Sequence, residues 1–257
     1  MVLVSSAVTG IFAVEHEGAA EAPRVVLVHG SLDRSSAFLR VQRLLEDLTV
    51  VRYDRRGYAK SVDVGACTSF DDQVDDLAGV VADRPSIVVG HSLGGVVALA
   101  FAQRCPHLVP AVVAYESPMP WLPTWPSGTA GSAAMAGDGH AGDAAERFMR
   151  RMIGDARWES LPEPTKEQRR QEGPALVAEL RSIRSPAPAP YGPALITMPV
   201  VIGRGTRSKP HHQEAAGRLA EALPKGELVV IDGADHGIHL SDPAAFAALI
   251  RRAVERR

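Results

Sequence analysis

The chain has 257 residues, 46% of them hydrophobic and 23% charged, a size that suits one catalytic domain with an insertion better than two independent domains. A formal net charge of -2, with no run of Lys or Arg, argues against nucleic acid or an anionic membrane surface as partner and leaves a small molecule. The two cysteines, Cys67 and Cys105, form no metal-type pair and read as reduced thiols. The N-terminus shows no basic leader before a long apolar run, and no apolar stretch has the length of a membrane span, so the expected location is the cytoplasm.

Short β-rich runs alternate with helical segments, the pattern of a mostly parallel sheet covered on both faces. Strands are predicted over Val2–Val8, Ile11–His16, Arg24–His29, Thr49–Tyr53, Ser86–Val89 and Ala111–Tyr115. Helices are predicted over Ser35–Leu48, Phe70–Ala82 and Leu93–Gln103. After Glu116 the pattern changes: from Pro118 to Pro193 the chain is rich in Pro, Gly and Ala, without β-runs, and carries helical pieces near Ala141–Ile153 and Lys166–Ile183. The sheet pattern resumes at Pro199–Ile202 and Glu227–Ile231, around a helix at Gln213–Leu223. Asp242 or Ser241 caps a last helix starting at Pro243. The chain thus divides into a core over 1–117, a helical insertion over 118–193, and a returning core over 194–257.

The chemistry centres on Gly90-His91-Ser92-Leu93-Gly94, placed between an apolar strand and a helix. A serine on so sharp a turn holds strained backbone angles, and glycines remove side chains that would collide there. The turn lifts the hydroxyl clear of the sheet, and the helix aims its positive end at developing negative charge. His236 is the candidate base, since an imidazole titrates near the working pH; His239 is its competitor three residues on. His91 is read as a packing residue pointing away, and His107, His140, His211 and His212 as solvated. No set of His, Asp and Glu has metal-ligand spacing, and no cofactor is required.

Four segments in chain order resemble the α/β-hydrolase family. His29-Gly30 ends a strand where the family places one side of its oxyanion hole. Tyr53-Asp54-Arg55-Arg56-Gly57-Tyr58 with Ser61 resembles its D-x-R-G-x-G-x-S stretch, with Ala59 in place of the second glycine. Gly90–Gly94 matches the nucleophile turn, and Asp235-His236-Gly237 with His239-Leu240 and Pro243 the terminal histidine loop. The resemblance implies a mostly parallel eight-stranded sheet flanked by helices, with an inserted helical cap. It makes Ser92 the nucleophile, and the backbone N–H groups of Leu93 and Ser31 the oxyanion donors. His29 shapes that hole, and Asp54, Arg56 and Ser61 brace loops.

The departure from the family is the acid. The segment Gly203-Arg204-Gly205-Thr206-Arg207-Ser208-Lys209 follows the strand where an Asp is usual and contains no carboxylate. A histidine base needs an acceptor to orient it. Glu116, directly after the preceding strand, is the replacement, as in family members that carry their acid at that strand end; Asp235 is the weaker candidate. The insertion offers Trp121, Trp125, Met135, Phe148, Met149, Met152 and Trp158 as pocket residues. Helical spacing assigns Phe148 and Met152 to the cap's own core and leaves Trp121 as the pocket candidate. The expected reaction is hydrolysis of a small carboxylic ester or lactone through an acyl-enzyme on Ser92. Cleavage of a C–C bond or an amide, perhydrolysis, acyl transfer, or ligand binding without turnover remain as alternatives. Serine at position 92, where a carboxylate would be needed, argues against an alkyl-enzyme route.

Overall fold

Eight strands pair into one sheet: β1 (Val2–Leu3), β2 (Ala13–His16), β3 (Arg24–Val28), β4 (Thr49–Tyr53), β5 (Ile87–His91), β6 (Val112–Tyr115), β7 (Val200–Gly205) and β8 (Gly226–Ile231). Their spatial order is β1-β2-β4-β3-β5-β6-β7-β8. β2 runs antiparallel to both β1 and β4, and all pairs from β4 to β8 are parallel. The computed structural model describes residues 2–3, 10–137, 139–184 and 188–257; most of the strand expected at Val2–Val8 lies outside them.

The strands read as continuous apolar runs because both faces of the sheet are covered. Val26 and Val28 of β3 face one core, and Val25 and Leu27 face the other. The first core is closed by α2 (Asp71–Val81), α3 (Leu93–Arg104) and α9 (Pro210–Ala222). The second is closed by α1 (Leu39–Gln42) and α11 (Pro243–Arg256). The helix expected over Ser35–Leu48 is a 3₁₀ turn, Ser35–Phe38, running into the one-turn α1; Phe38, Val41 and Leu45 still reach the core. Asp242 is the cap of α11, accepting from the Ala245 amide at 3.0 Å.

Between β6 and β7 lie α4 (Ala130–Met135), α5 (Ala141–Ile153), α6 (Asp155–Glu159), α7 (Glu163–Gln171) and α8 (Gly173–Ile183). The helix expected over Lys166–Ile183 is two helices, α7 and α8. Pro174 has no N–H to continue α7, and Gly173 passes so close to the Ala141 carbonyl that no side chain fits. Helices α4, α5 and α8 share a third apolar cluster built on Ala134, Ala145, Phe148, Ala175 and Leu176, which also packs on Leu32 and Tyr58 from the loops after β3 and β4. Trp158 is fully buried, with the Arg150 and Arg170 guanidinium groups over its ring. Among the described residues no helix is long and apolar enough to cross a membrane.

The strand order reverses at β3, which has β4 on one side and β5 on the other. At such a reversal the loops leaving the carboxyl ends diverge and open a crevice. The loops carrying Ser31 and Ser92 border it.

Candidate active site

Ser92 follows β5 directly, with φ 55° and ψ -127°, angles a side-chain-bearing residue rarely holds. Its amide donates to the Tyr115 carbonyl at 2.8 Å, and its carbonyl accepts from Gly95 at 2.9 Å. The surrounding glycines are required by closeness: a methyl on Gly90 would overlap Gly94 and Gly95 backbone, and one on Gly94 the Val28 carbonyl. A methyl on Gly30 would come within 3.0 Å of Ser92 Cβ, so the loop after β3 lies against the Ser92 turn. Leu93 is the first residue of α3, where an amide has no partner within its own helix. Neither the Leu93 nor the Ser31 amide has a hydrogen-bond acceptor among the described residues, and both residues line the cavity beside Ser92.

His236 follows β8, and its Nδ1 donates to Glu116 Oε2 at 2.7 Å. Glu116 is fully buried at the end of β6, with φ 47°. Its other oxygen, Oε1, accepts from the Gly205 amide at 3.1 Å and from the Ser208 hydroxyl. The segment after β7 that holds no carboxylate thus supplies two donors to the carboxylate of the neighbouring strand. Burial alone would raise the Glu116 carboxyl; the bonds from His236, Ser208 and Gly205 hold it below the ordinary range. Asp235 turns away: its Oδ1 accepts from the Gly237 amide at 2.9 Å and its Oδ2 lies 3.5 Å from Arg207. Ser92, His236, Ser208, Leu93 and Ser31 all border one cavity of about 560 Å³.

The model of the "Alpha/beta hydrolase family" matches residues 25–249. The chain belongs to the alpha/beta hydrolase family. A 2-(acetamidomethylene)succinate hydrolase from Mesorhizobium japonicum is 27% identical over 241 residues, 86% of this hydrolase and 84% of the relative. The fold is that of an enol-lactonase from Burkholderia xenovorans (TM-score 0.73, 20% identical, 97% of this chain and 98% of that one). It is equally that of an esterase from Exiguobacterium antarcticum (TM-score 0.75, 20% identical, 99% and 100%).

In this alpha/beta hydrolase several histidines depart from their sequence reading. His91 does not point away: its Nε2 donates to the His236 carbonyl at 2.7 Å, and its ring lies 4.8 Å from the His236 ring. His212 is not solvated; it is buried and stacked on His236 at 4.4 Å, and His211 borders the same cavity. Burial, with like-charge repulsion from neighbouring imidazoles, pushes His91 and His212 well below the ordinary range, so both are neutral. His239, the rival base, is committed elsewhere, its Nε2 donating to Asp33 Oδ2 at 3.0 Å. The folded chain also assembles groups that sequence spacing hides: Asp33 with His91 and His239, and Glu116 with His212 and His236, each hold metal-type ligand atoms within 4.8 Å of one another. His91, His236 and His239 each spend one ring nitrogen on the hydrogen bonds just described.

His29 is buried and braces the loop. It accepts from the Arg55 amide through Nε2 at 2.9 Å and donates from Nδ1 to the Gly30 carbonyl at 2.7 Å. Burial and the Arg55 charge drop its pKa to about 3, consistent with that neutral tautomer. Arg55 holds the same loop from the other side, donating to the His29 and Gly30 carbonyls at 2.8 and 3.0 Å. It is anchored by Glu179 of α8 at 2.9 Å. Asp54 receives the Ser35 and Lys60 amides, Arg56 pairs with Asp76, and Ser61 Oγ accepts from the Phe12 amide. These are loop braces, although Asp54 and Arg56 do not pair with each other.

Trp121 does not border the cavity; it packs edge-on against Tyr191 at 5.6 Å, over the apolar core beneath α3. Trp125, four residues on, takes the wall position, its ring edge-on to His211. Phe148 belongs to the insertion's own apolar cluster and also borders the cavity, as does Met152. Ser208 and Asp33 were not legible as site residues, because each meets its partner, Glu116 and His239 respectively, only across a long stretch of sequence.

Proposed function

We propose that this hydrolase cleaves a small carboxylic ester or lactone through an acyl-enzyme on Ser92. The bond from His236 Nδ1 to Glu116 carries the reading, because it fixes the imidazole in the tautomer whose Nε2 can accept a proton. Ser92 Oγ attacks the carbonyl carbon as its proton passes to His236. The Leu93 and Ser31 amides stabilise the oxyanion, and Glu116 stabilises the imidazolium. Collapse expels the alkoxide, which takes the proton from His236. Water, activated by the same ring, then attacks the acyl carbon, and Ser92 leaves with the returned proton. Support comes from the two unengaged amides beside Ser92 and from the positive φ that keeps the serine on its turn. The similar proteins, named for hydrolysis of an acetamidomethylene succinate, an enol-lactone and esters, agree with a small carbonyl substrate.

The test is labelling by a fluorophosphonate together with turnover of para-nitrophenyl butyrate. Wild type should label at Ser92 and release chromophore. Ser92→Ala should abolish labelling and lower kcat by at least about 10⁴-fold. A wild type that neither labels nor turns over any short ester or lactone would sink the proposal.

A further inference from the structure

The cavity beside Ser92 holds cations that the hydrolytic chemistry leaves idle. Along α5 and α8 its wall is apolar, formed by Phe148, Met149, Met152 and Leu180. At the end of that wall Arg184 borders the cavity, half-buried, immediately after α8. Among the described residues its guanidinium makes one long hydrogen bond, Nη1 to Ser132 Oγ at 3.4 Å, and meets no carboxylate. Lys209, next to the Ser208 that donates to Glu116, borders the cavity too; its Nζ is 3.4 Å from the Arg151 carbonyl and also meets no described carboxylate.

The other charged side chains around the cavity are each engaged by a neighbour. Arg169 pairs with Glu172 at 2.8 Å and Arg207 with Asp235 at 3.5 Å, while Asp33 holds His239. A guanidinium that meets no described carboxylate can give its counter-charge to an anionic ligand in the cavity. Its planar fork fits a carboxylate through two parallel N–H bonds, with the Ser132 hydroxyl beside it.

We propose that the substrate carries a free carboxylate remote from the bond that is cleaved, and that Arg184 receives it, with Lys209 on the same cavity adding positive field. The cleavage part of this proposal rests on the Ser92 hydrolase reading; the binding part does not. A substrate of this class spans the cavity, its carbonyl at Ser92 and its acid against the end of α8.

The experiment has two arms on the full-length protein. Calorimetric titration compares glutarate with its uncharged diamide of the same shape. Wild type should bind glutarate and discriminate against the diamide. Arg184→Gln should weaken glutarate about tenfold or more, and Arg184→Lys should fall between. In the second arm, Arg184→Gln should raise KM for mono-para-nitrophenyl glutarate with kcat nearly unchanged, by a factor about tenfold larger than any change for para-nitrophenyl butyrate. Circular dichroism and thermal unfolding check that the variants fold, and the lysine variant keeps the test sound if the glutamine one does not. Equal binding of glutarate and diamide, no glutarate binding at millimolar concentration, or an equal loss on both esters would overturn the proposal. If no ester is turned over and Ser92 is not labelled, the hydrolase reading fails while the titration still decides the anion site.

Discussion

Two corners of the cavity are built in opposite ways. The Ser92 corner is local: Gly90, Ser92, Leu93, Gly94 and Gly95 sit within six residues, and the strand, strained turn and helix they need are continuous in the chain. The corner that joins Glu116 to His236 is assembled. Glu116 comes from β6, Gly205 and Ser208 from the end of β7, and His236 from the loop after β8. A local corner is set by backbone geometry that flanking glycines permit. An assembled corner depends on sheet register, because Glu116 reaches Gly205 only while β6 and β7 stay side by side, Tyr115 opposite Gly203.

Four perturbations sharpen the contrast. The largest effect is expected from Glu116→Gln, which keeps the shape and removes the charge: kcat should fall about 10³–10⁴-fold, with labelling of Ser92 slowed and the fold retained. Activity within a few-fold of wild type would remove Glu116 from the triad. Next is Glu179→Gln, which breaks the buried pair with Arg55 that ties α8 to the loop after β3. Unfolding in urea should show a loss of about 3 kcal/mol. Ser208→Ala removes one donor from Glu116 and leaves the Ser92 corner intact. It should lower kcat about tenfold and move the acidic limb of the pH profile upward, because the carboxylate loses a bond to its charged form.

The smallest effect is on pH-dependent stability. Burial holds His29, His91 and His212 below their ordinary value of 6.5, His29 at about 3. Below that ordinary value the unfolded chain takes up protons that the folded chain refuses, so stability present above pH 6.5 is lost as pH falls. Each histidine contributes a slope of at most about 1.4 kcal/mol per pH unit as the pH falls below about 6.5. His212→Asn should flatten the measured slope by one histidine's share.

The sheet strands were legible because covering both faces leaves apolar runs with nothing to alternate against, as in Thr49–Tyr53, whose predicted bounds are those of β4. The Ser92 turn was legible because its requirements lie within a few residues. The break between α7 and α8 was written in Gly173-Pro174, though the pressure of the Ala141 carbonyl on Gly173 was not. Trp121 and Trp125 could not be separated, since four residues of irregular chain do not say which ring turns outward.

By itself, then, the sequence determined the order of strands and helices, the strained serine turn, and the absence of an acid after β7, all properties of contiguous residues. Only the tertiary structure decided that Glu116 meets His236, that Gly205 and Ser208 donate to it, that His91 and His212 flank the His236 ring, and that Arg184 borders the cavity. Those pairings join residues up to 145 positions apart, and short-range pattern carries no signal across such distances; sheet register and the packing of the helices between β6 and β7 create them.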